Sequence, residues 1–286
     1  MRIFLLCYLF LFNSCSFFKR RIAVDEEVNL KERYYLNDKS GKFLVETESG
    51  ISKKSNFVFK KKVLLEDAAS KGPLEQLISI SKKGKLKLKE GGTLQVLGPI
   101  ISQYTVWFEG KKYFSEMKLS SNNKLSIHYT SPESGKSGVK DIVLPKSTGV
   151  RCFFSQLVDC VRATGFLSQS QDKGAGKMHF QVLWDGYPFL QDQYTGLKEI
   201  PFSQAVLEFD GKNKNDERRY TLQAAGQSIF YFVGNKNELK KMFWVSEGLT
   251  LTKMDHDDLP RKKERIKKNE NIYADEINSD VDFESE

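Results

Sequence analysis

The chain has 286 residues, with 45 Lys and Arg against 37 Asp and Glu and a formal net charge of +8. Its 21 Phe and 11 Tyr exclude an intrinsically disordered body, because so much aromatic surface has to be buried, and the length allows two domains with cores of their own. No nucleic-acid recognition motif accompanies the basic charge, so a nucleic-acid partner is not expected.

Met1-Arg2 supplies a short positive start, Ile3 to Phe12 is an almost unbroken apolar run, and Asn13-Ser14-Cys15 ends it with small or polar residues. Roughly ten apolar residues are too few to span a hydrocarbon core and suit the h-region of a signal peptide. Leu11-Phe12-Asn13-Ser14-Cys15 resembles the lipobox of bacterial lipoproteins, in which a small residue precedes the cysteine that becomes the mature N-terminus. The resemblance implies a signal peptide over residues 1–14 and a diacylglyceryl group on Cys15, usually with a third acyl chain such as palmitate. One acyl chain holds a protein to a membrane only marginally, whereas two or more anchor it stably. Ser16, rather than an inner-membrane retention Asp, follows the cysteine, which in a Gram-negative host points to the outer membrane. An ordinary cleaved signal and a retained anchor remain the alternatives.

Residues 15–41 are charged and lack clear periodicity, which reads as a tether from the membrane. Residues 42–98 form a β-rich segment in which Phe57-Val58-Phe59 and Val63-Leu64-Leu65 flank a lysine run. A short helix is expected from Pro73 through Ile78, since proline favours the first helical position. Lys85-Leu86-Lys87-Leu88-Lys89 alternates as a half-buried strand does. The lysines crowded from Lys53 to Lys89 read as a solvated strand face, with attraction to anionic envelope polymers as the alternative.

The strongest internal signal is a repeat. Val106 to Phe114 is echoed by Val182 to Leu190, each an apolar strand, an acidic-Gly turn and a second apolar strand, the pattern of a tight hairpin. Leu125–Tyr129, Asp141–Leu144 and Cys152-Phe153-Phe154 then match Ala205–Phe209, Arg219–Leu222 and Phe230-Tyr231-Phe232. A helix-like stretch closes each unit at Gln156 to Val161 and Asn237 to Met242. The offset stays near 76 to 81 residues. The expected fold is therefore mainly β, with tandem small immunoglobulin-like β-sandwich units at 99–170 and 175–254. The runner-up is one larger sandwich or barrel built by both units together. Residues 255–286, basic and then acidic, read as a disordered or weakly helical tail.

Cys7 falls in the signal and Cys15 carries lipid, so Cys152 and Cys160 are the only remaining pair, and an oxidising compartment lets them bond. No metal site is expected, because His128, His179 and His256 all lie away from the cysteines. No cofactor is expected either. No catalytic signature stands out. His128 and His179 fall in expected strands as partly buried structural imidazoles, and Glu109 and Asp185 fall in matching turns with no catalytic role. Alternation places Trp184 in the core with Phe108. Trp107, Tyr113 and Tyr187 remain as candidate binding aromatics, suited to stacking on a sugar, and Tyr187 beside Pro188 is the one most expected to be partly exposed.

These features read as a non-enzymatic envelope protein, bound to the membrane through its lipidated N-terminus and recognising envelope glycan or an envelope protein. An assembly subunit docking through its charged tail is the second reading. An envelope hydrolase with a hidden carboxylate pair is the third.

Overall fold

The computed structural model describes residues 26–254 apart from 40, 53, 66–74, 88–92, 109–110, 146–148 and 195–196. The lipobox with Cys15, the turn residue Glu109, His256 and the charged tail lie outside the described residues. The first strands are β1 (Glu26–Asp38), β2 (Gly41–Ser52), β3 (Asn56–Leu65), β4 (Glu75–Lys87), β5 (Thr93–Phe108), β6 (Lys111–Leu119), β7 (Lys124–Thr130) and β8 (Gly138–Val143). A helical interlude follows: β9 (Val150–Phe153), a 3-10 turn at Phe154–Gln156, α1 (Leu157–Ala163) and α2 (Phe166–Lys173). The chain then forms β10 (Lys177–Leu183), α3 (Phe189–Gln193), β11 (Phe202–Lys212), β12 (Arg218–Ala224), β13 (Gln227–Val233), β14 (Leu239–Trp244) and β15 (Leu249–Lys253).

These strands join in one sheet. Its order is β8-β7-β6-β5-β4-β3-β2-β1-β15-β14-β13-β12-β11-β10-β9, so the first strand and the last lie side by side at its middle. Neighbours are antiparallel except β9 and β10, which run parallel. A parallel pair needs a crossover longer than a hairpin, and α1 and α2 supply it. The register shifts at Val28/Leu30, Ile80/Ser81, Phe209/Gly211 and Phe232/Val233. Such bulges bend and twist strands, which lets the sheet roll around a core.

The rolled ends pack on one another. Met117 of β6 and Leu125 and Ile127 of β7 share a buried cluster with Phe153 of β9 and Leu183 of β10. Arg151 of β9 donates across this contact to Asn123 Oδ1 at 2.7 Å and to the Pro145 carbonyl at 3.0 Å. A larger core inside the roll gathers residues from β1 to β3, from α1 and α2, and from β10 to β15. Cys152 and Cys160 are joined by a disulfide that ties β9 to α1, and both are fully buried in that core.

Several expectations need correction. The protein is mainly β, but the strand pairing does not give tandem immunoglobulin-like units. β5 pairs with β4 and β1 with β15, so the stretches 99–170 and 175–254 belong to one sheet shared with the N-terminal strands. The expected tether contains β1, which pairs with β2 along its length and with β15. The stretch expected to be helical after Pro73 enters β4 at Glu75, held between β3 and β5. Asn237 to Met242 runs into β14 instead of a helix.

The echo at 182–190 is not a hairpin: β10 ends at Leu183, and Pro188 precedes α3. Proline has no N–H to give a returning strand. The lysine-rich segment is also less one-sided than its composition suggests. Register sets Lys62 opposite Glu46 and Lys60 opposite Glu48, and on the other flank Arg33 and Lys31 meet the same two carboxylates at 3.0 Å. Cross-strand pairs of opposite charge favour this register.

Candidate functional site

Strand alternation builds a cavity inside the roll. On one rung Glu32 of β1 lies opposite Thr47 of β2, and Thr47 opposite Lys61 of β3. Two residues further along β1, the next rung is Tyr34, Val45 and Val63, and the one after begins with Leu36 opposite Phe43. Leu36 also lies opposite Leu251, which continues through Met242 to Tyr231. Period-two alternation keeps each of these sets on one face of its strand. The wall therefore passes from charged to apolar within two rungs. The cavity is partly open and measures about 130 Å³.

Its apolar part is aromatic. Phe154 packs on Trp184 at 4.7 Å and on Trp244 at 5.8 Å between ring centres, and Tyr194 lies 4.8 Å from Trp244. Trp184 is fully buried and donates from Nε1 to Ser203 Oγ at 3.0 Å, as expected for a core tryptophan. Phe154, Tyr194 and Trp244 line the cavity.

Charged groups collect around the polar rung. Glu32 accepts from the Tyr34 hydroxyl at 2.7 Å and from Lys253. Asp159 and Arg162 of α1 pair with each other, and Glu238 pairs with Lys240 at 3.1 Å. Burial, reinforced by Glu32, pushes the Tyr34 hydroxyl far above its ordinary range, with Arg162 opposing and Glu238 adding to the rise. Arg162 and Glu238 line the same cavity as Glu32 and Tyr34. Burial alone raises Tyr231, so both phenols stay protonated and can donate. Burial also pushes the Glu238 carboxyl up, but its own backbone N–H, Lys240 and the Lys236 backbone outweigh that and hold it below the usual carboxylate range.

At the opposite wall Asp185, 2% exposed, accepts from the Ser155 N–H at 3.0 Å, the Ser155 hydroxyl at 2.5 Å and the Ser102 hydroxyl at 2.9 Å. This bonding replaces the hairpin-turn role expected from sequence. Gln156, also 2% exposed, donates from Nε2 to Ser81 Oγ, while its Oε1 has no hydrogen-bond partner among the described residues.

The aromatics singled out from sequence do not converge here. Tyr113 is 8% exposed, donates to Glu133 at 2.9 Å and packs edge-on against Phe189 at 5.1 Å, so its ring is not a stacking platform. Lys136 and then Tyr113 hold the Glu133 carboxyl below its ordinary range. Trp107 is half-buried, with the Lys112 ammonium 5.2 Å from its ring centre. Tyr187 is half-buried, as anticipated, but Lys140 lies 5.1 Å from its ring centre and donates to its hydroxyl at 3.2 Å. His128 and His179 are exposed on their strands instead of partly buried. Among the described residues no three His, Cys, Asp or Glu side chains group as metal ligands, and no helix is long and apolar enough to cross a membrane.

The cavity is hidden in the sequence because residues 15–41 read as a tether and Asn237 to Met242 as a helix. The alternation Glu32-Tyr34-Leu36 against Arg33-Tyr35-Asn37 was the available signal, and the charged residues on both faces masked it.

Fold and site together define a rolled single-sheet β protein enclosing an amphipathic cavity. No protein-family model matches the chain, and no curated protein matches it significantly. Among solved structures, it is similar to a crystal structure described as a β-barrel-like protein of a domain of unknown function from Brucella abortus. That likeness has a TM-score of 0.38 and 10% identity, over 80% of this chain and 99% of the other. At that level it identifies neither a family nor a ligand.

Proposed function

We propose that the protein is a non-enzymatic, lipid-anchored binding protein of the bacterial cell envelope, most simply at the outer membrane, and that its binding element is the interior cavity. The observation that carries the reading is the partly open, largely apolar space, walled by several aromatic rings, with a charged rung at one end. Binding sites for small molecules are typically concave and mostly apolar, with a few placed polar groups. The site takes a small apolar group, free or presented by an envelope partner. Recognition of envelope glycan by Trp107, Tyr113 and Tyr187 loses support, since one ring is buried and lysines sit over the other two.

The hydrolase reading draws on one observation: Glu32, Asp159, Asp185 and Glu238 all line the cavity. Each already holds a cation or several donors. General acid-base work calls for a carboxyl whose pKa is tuned towards the working pH, and Glu238 is shifted the other way.

Two experiments test the proposal. Cys15→Ser should move the protein from the membrane fraction to the soluble fraction, and a variant that stays with the membranes would overturn the anchor. 1-Hexanol at ten times its dissociation constant should stabilise the purified full-length protein by about 1.4 kcal/mol. For a chain of this size that is a rise of about 2–3 °C in Tm. Leu251→Trp, which fills the cavity, should abolish the rise. No rise in the wild type, or an equal rise in the filled variant, would sink the cavity as the binding element.

A further inference from the structure

The charge arrangement at the cavity's polar end says more about what it holds. Three cations there already have anionic partners: Lys253 with Glu32, Arg162 with Asp159, and Lys240 with Glu238. Lys61 is different. It occupies the cavity wall on the same rung as Glu32 and Thr47, yet it forms no ion pair among the described residues. Its neighbours along β3 on that face are Phe59 and Val63, both buried. Lys61 is thus the lining cation with no carboxylate paired to it among the described residues, while the fourth carboxylate of the lining, Asp185, is held by serine donors at the opposite wall. Lys61 is half-buried, and an ammonium so placed is favoured by an opposite charge brought to it.

A second observation concerns the wall's hydrogen bonding. Buried polar atoms are nearly always paired, and Gln156 Oε1 in the opposite wall has no donor among the described residues. This oxygen accepts and calls for a donor, so it marks a polar spot in the lining, and the choice of an anion rests on Lys61 alone. Size then bounds the apolar part of the guest. At about 130 Å³ the space is close to the roughly 150 Å³ apolar cavity that accepts benzene and well below the roughly 300–1,000 Å³ of drug-sized sites.

We infer that the cavity takes a small monoanionic amphipath, a carboxylate carrying about six carbons or one ring, with the anion at Lys61 and the apolar part among Phe154, Tyr194 and Trp244. The inference rests on the cavity being the binding element and adds the head-group chemistry. The two chains of a whole diacyl lipid do not fit inside the space.

The test compares three probes with one tail and different heads: hexanoate, 1-hexanol and hexylamine. Each is titrated into the purified full-length protein at neutral pH and followed by tryptophan fluorescence, since Trp244 lines the site. Hexanoate should bind about tenfold more tightly than 1-hexanol, and hexylamine more weakly than either. Lys61→Met should bring the hexanoate-to-hexanol ratio close to one, while Lys61→Arg, which keeps the charge and checks that the wall tolerates substitution, should largely preserve it. Equal binding of all three probes, tighter binding of hexylamine, or a preference that survives Lys61→Met would overturn the head-group inference and leave the cavity reading standing. Failure of every probe to bind would overturn both.

Discussion

Arg218→Ala is expected to cost about 3–5 kcal/mol of stability, from buried acceptors left unmet and the void that the side chain leaves. Arg218 enters β12 fully buried and has no ion pair among the described residues. Its guanidinium instead donates to three oxygens: Leu167 O at 2.8 Å, Gly234 O at 2.5 Å and Asn237 Oδ1 at 2.6 Å. Those acceptors join α2 to the turn between β13 and β14. The Leu167 carbonyl also accepts from Tyr220 at 3.2 Å. Truncation leaves buried acceptors unmet, at about 1–3 kcal/mol each and not additively, and opens a void in the core. Arg218→Lys keeps the charge but not the planar fork, so it should recover only part of the loss. Urea denaturation of the three proteins decides it. An alanine variant within about 1 kcal/mol of wild type would mean that the guanidinium holds nothing together.

Arg218 also shows what the sequence made legible. Arg219-Tyr220-Thr221-Leu222 was readable as a strand, because tyrosine and leucine alternate with polar residues there. That alternation places Tyr220 and Leu222 on the core face, where both are buried. It also places Arg218 on that face, two residues earlier. Nothing local reveals that an arginine on an inward position is satisfied, since its acceptors come from α2 and a distant turn. The disulfide was legible because elimination left a single pair of cysteines. The architecture was not. Alternation specifies which face of a strand is buried but not which strand lies beside it, and a duplicated pattern of short strands suits two sandwiches as well as one rolled sheet. The deciding contacts, β1 with β15 and the overlap of β6 and β7 on β9 and β10, join residues more than a hundred positions apart or on opposite edges of the sheet. The cavity followed the architecture into invisibility, because its polar rung is assembled from three strands, of which one resembled a tether.

Asp185 gives the second large effect and separates a structural role from a chemical one. Its carboxylate takes the Ser155 hydroxyl and N–H and the Ser102 hydroxyl. It thereby pins the end of β10 to the turn entering α1 and to β5, at the seam where the rolled sheet overlaps. Hydrogen bonds to an ionised group are worth about 1.5–3 kcal/mol, and three donors share this one. Asp185→Ala should therefore lower stability by about 2–4 kcal/mol, and Asp185→Asn, which keeps one acceptor oxygen but no charge, by roughly half as much. Because Phe154 stands next to Ser155 and packs on Trp184 and Trp244, loosening this anchor should also weaken 1-hexanol binding. A hydrolase that used Ser155 as a nucleophile and Asp185 as its partner would behave in the opposite way. There, Asp185→Asn would stay as stable as wild type, bind the probe unchanged and lose turnover of an ester substrate. Stability and probe affinity falling together fit an anchor for the cavity wall, and a stable, probe-binding Asn variant would refute that role.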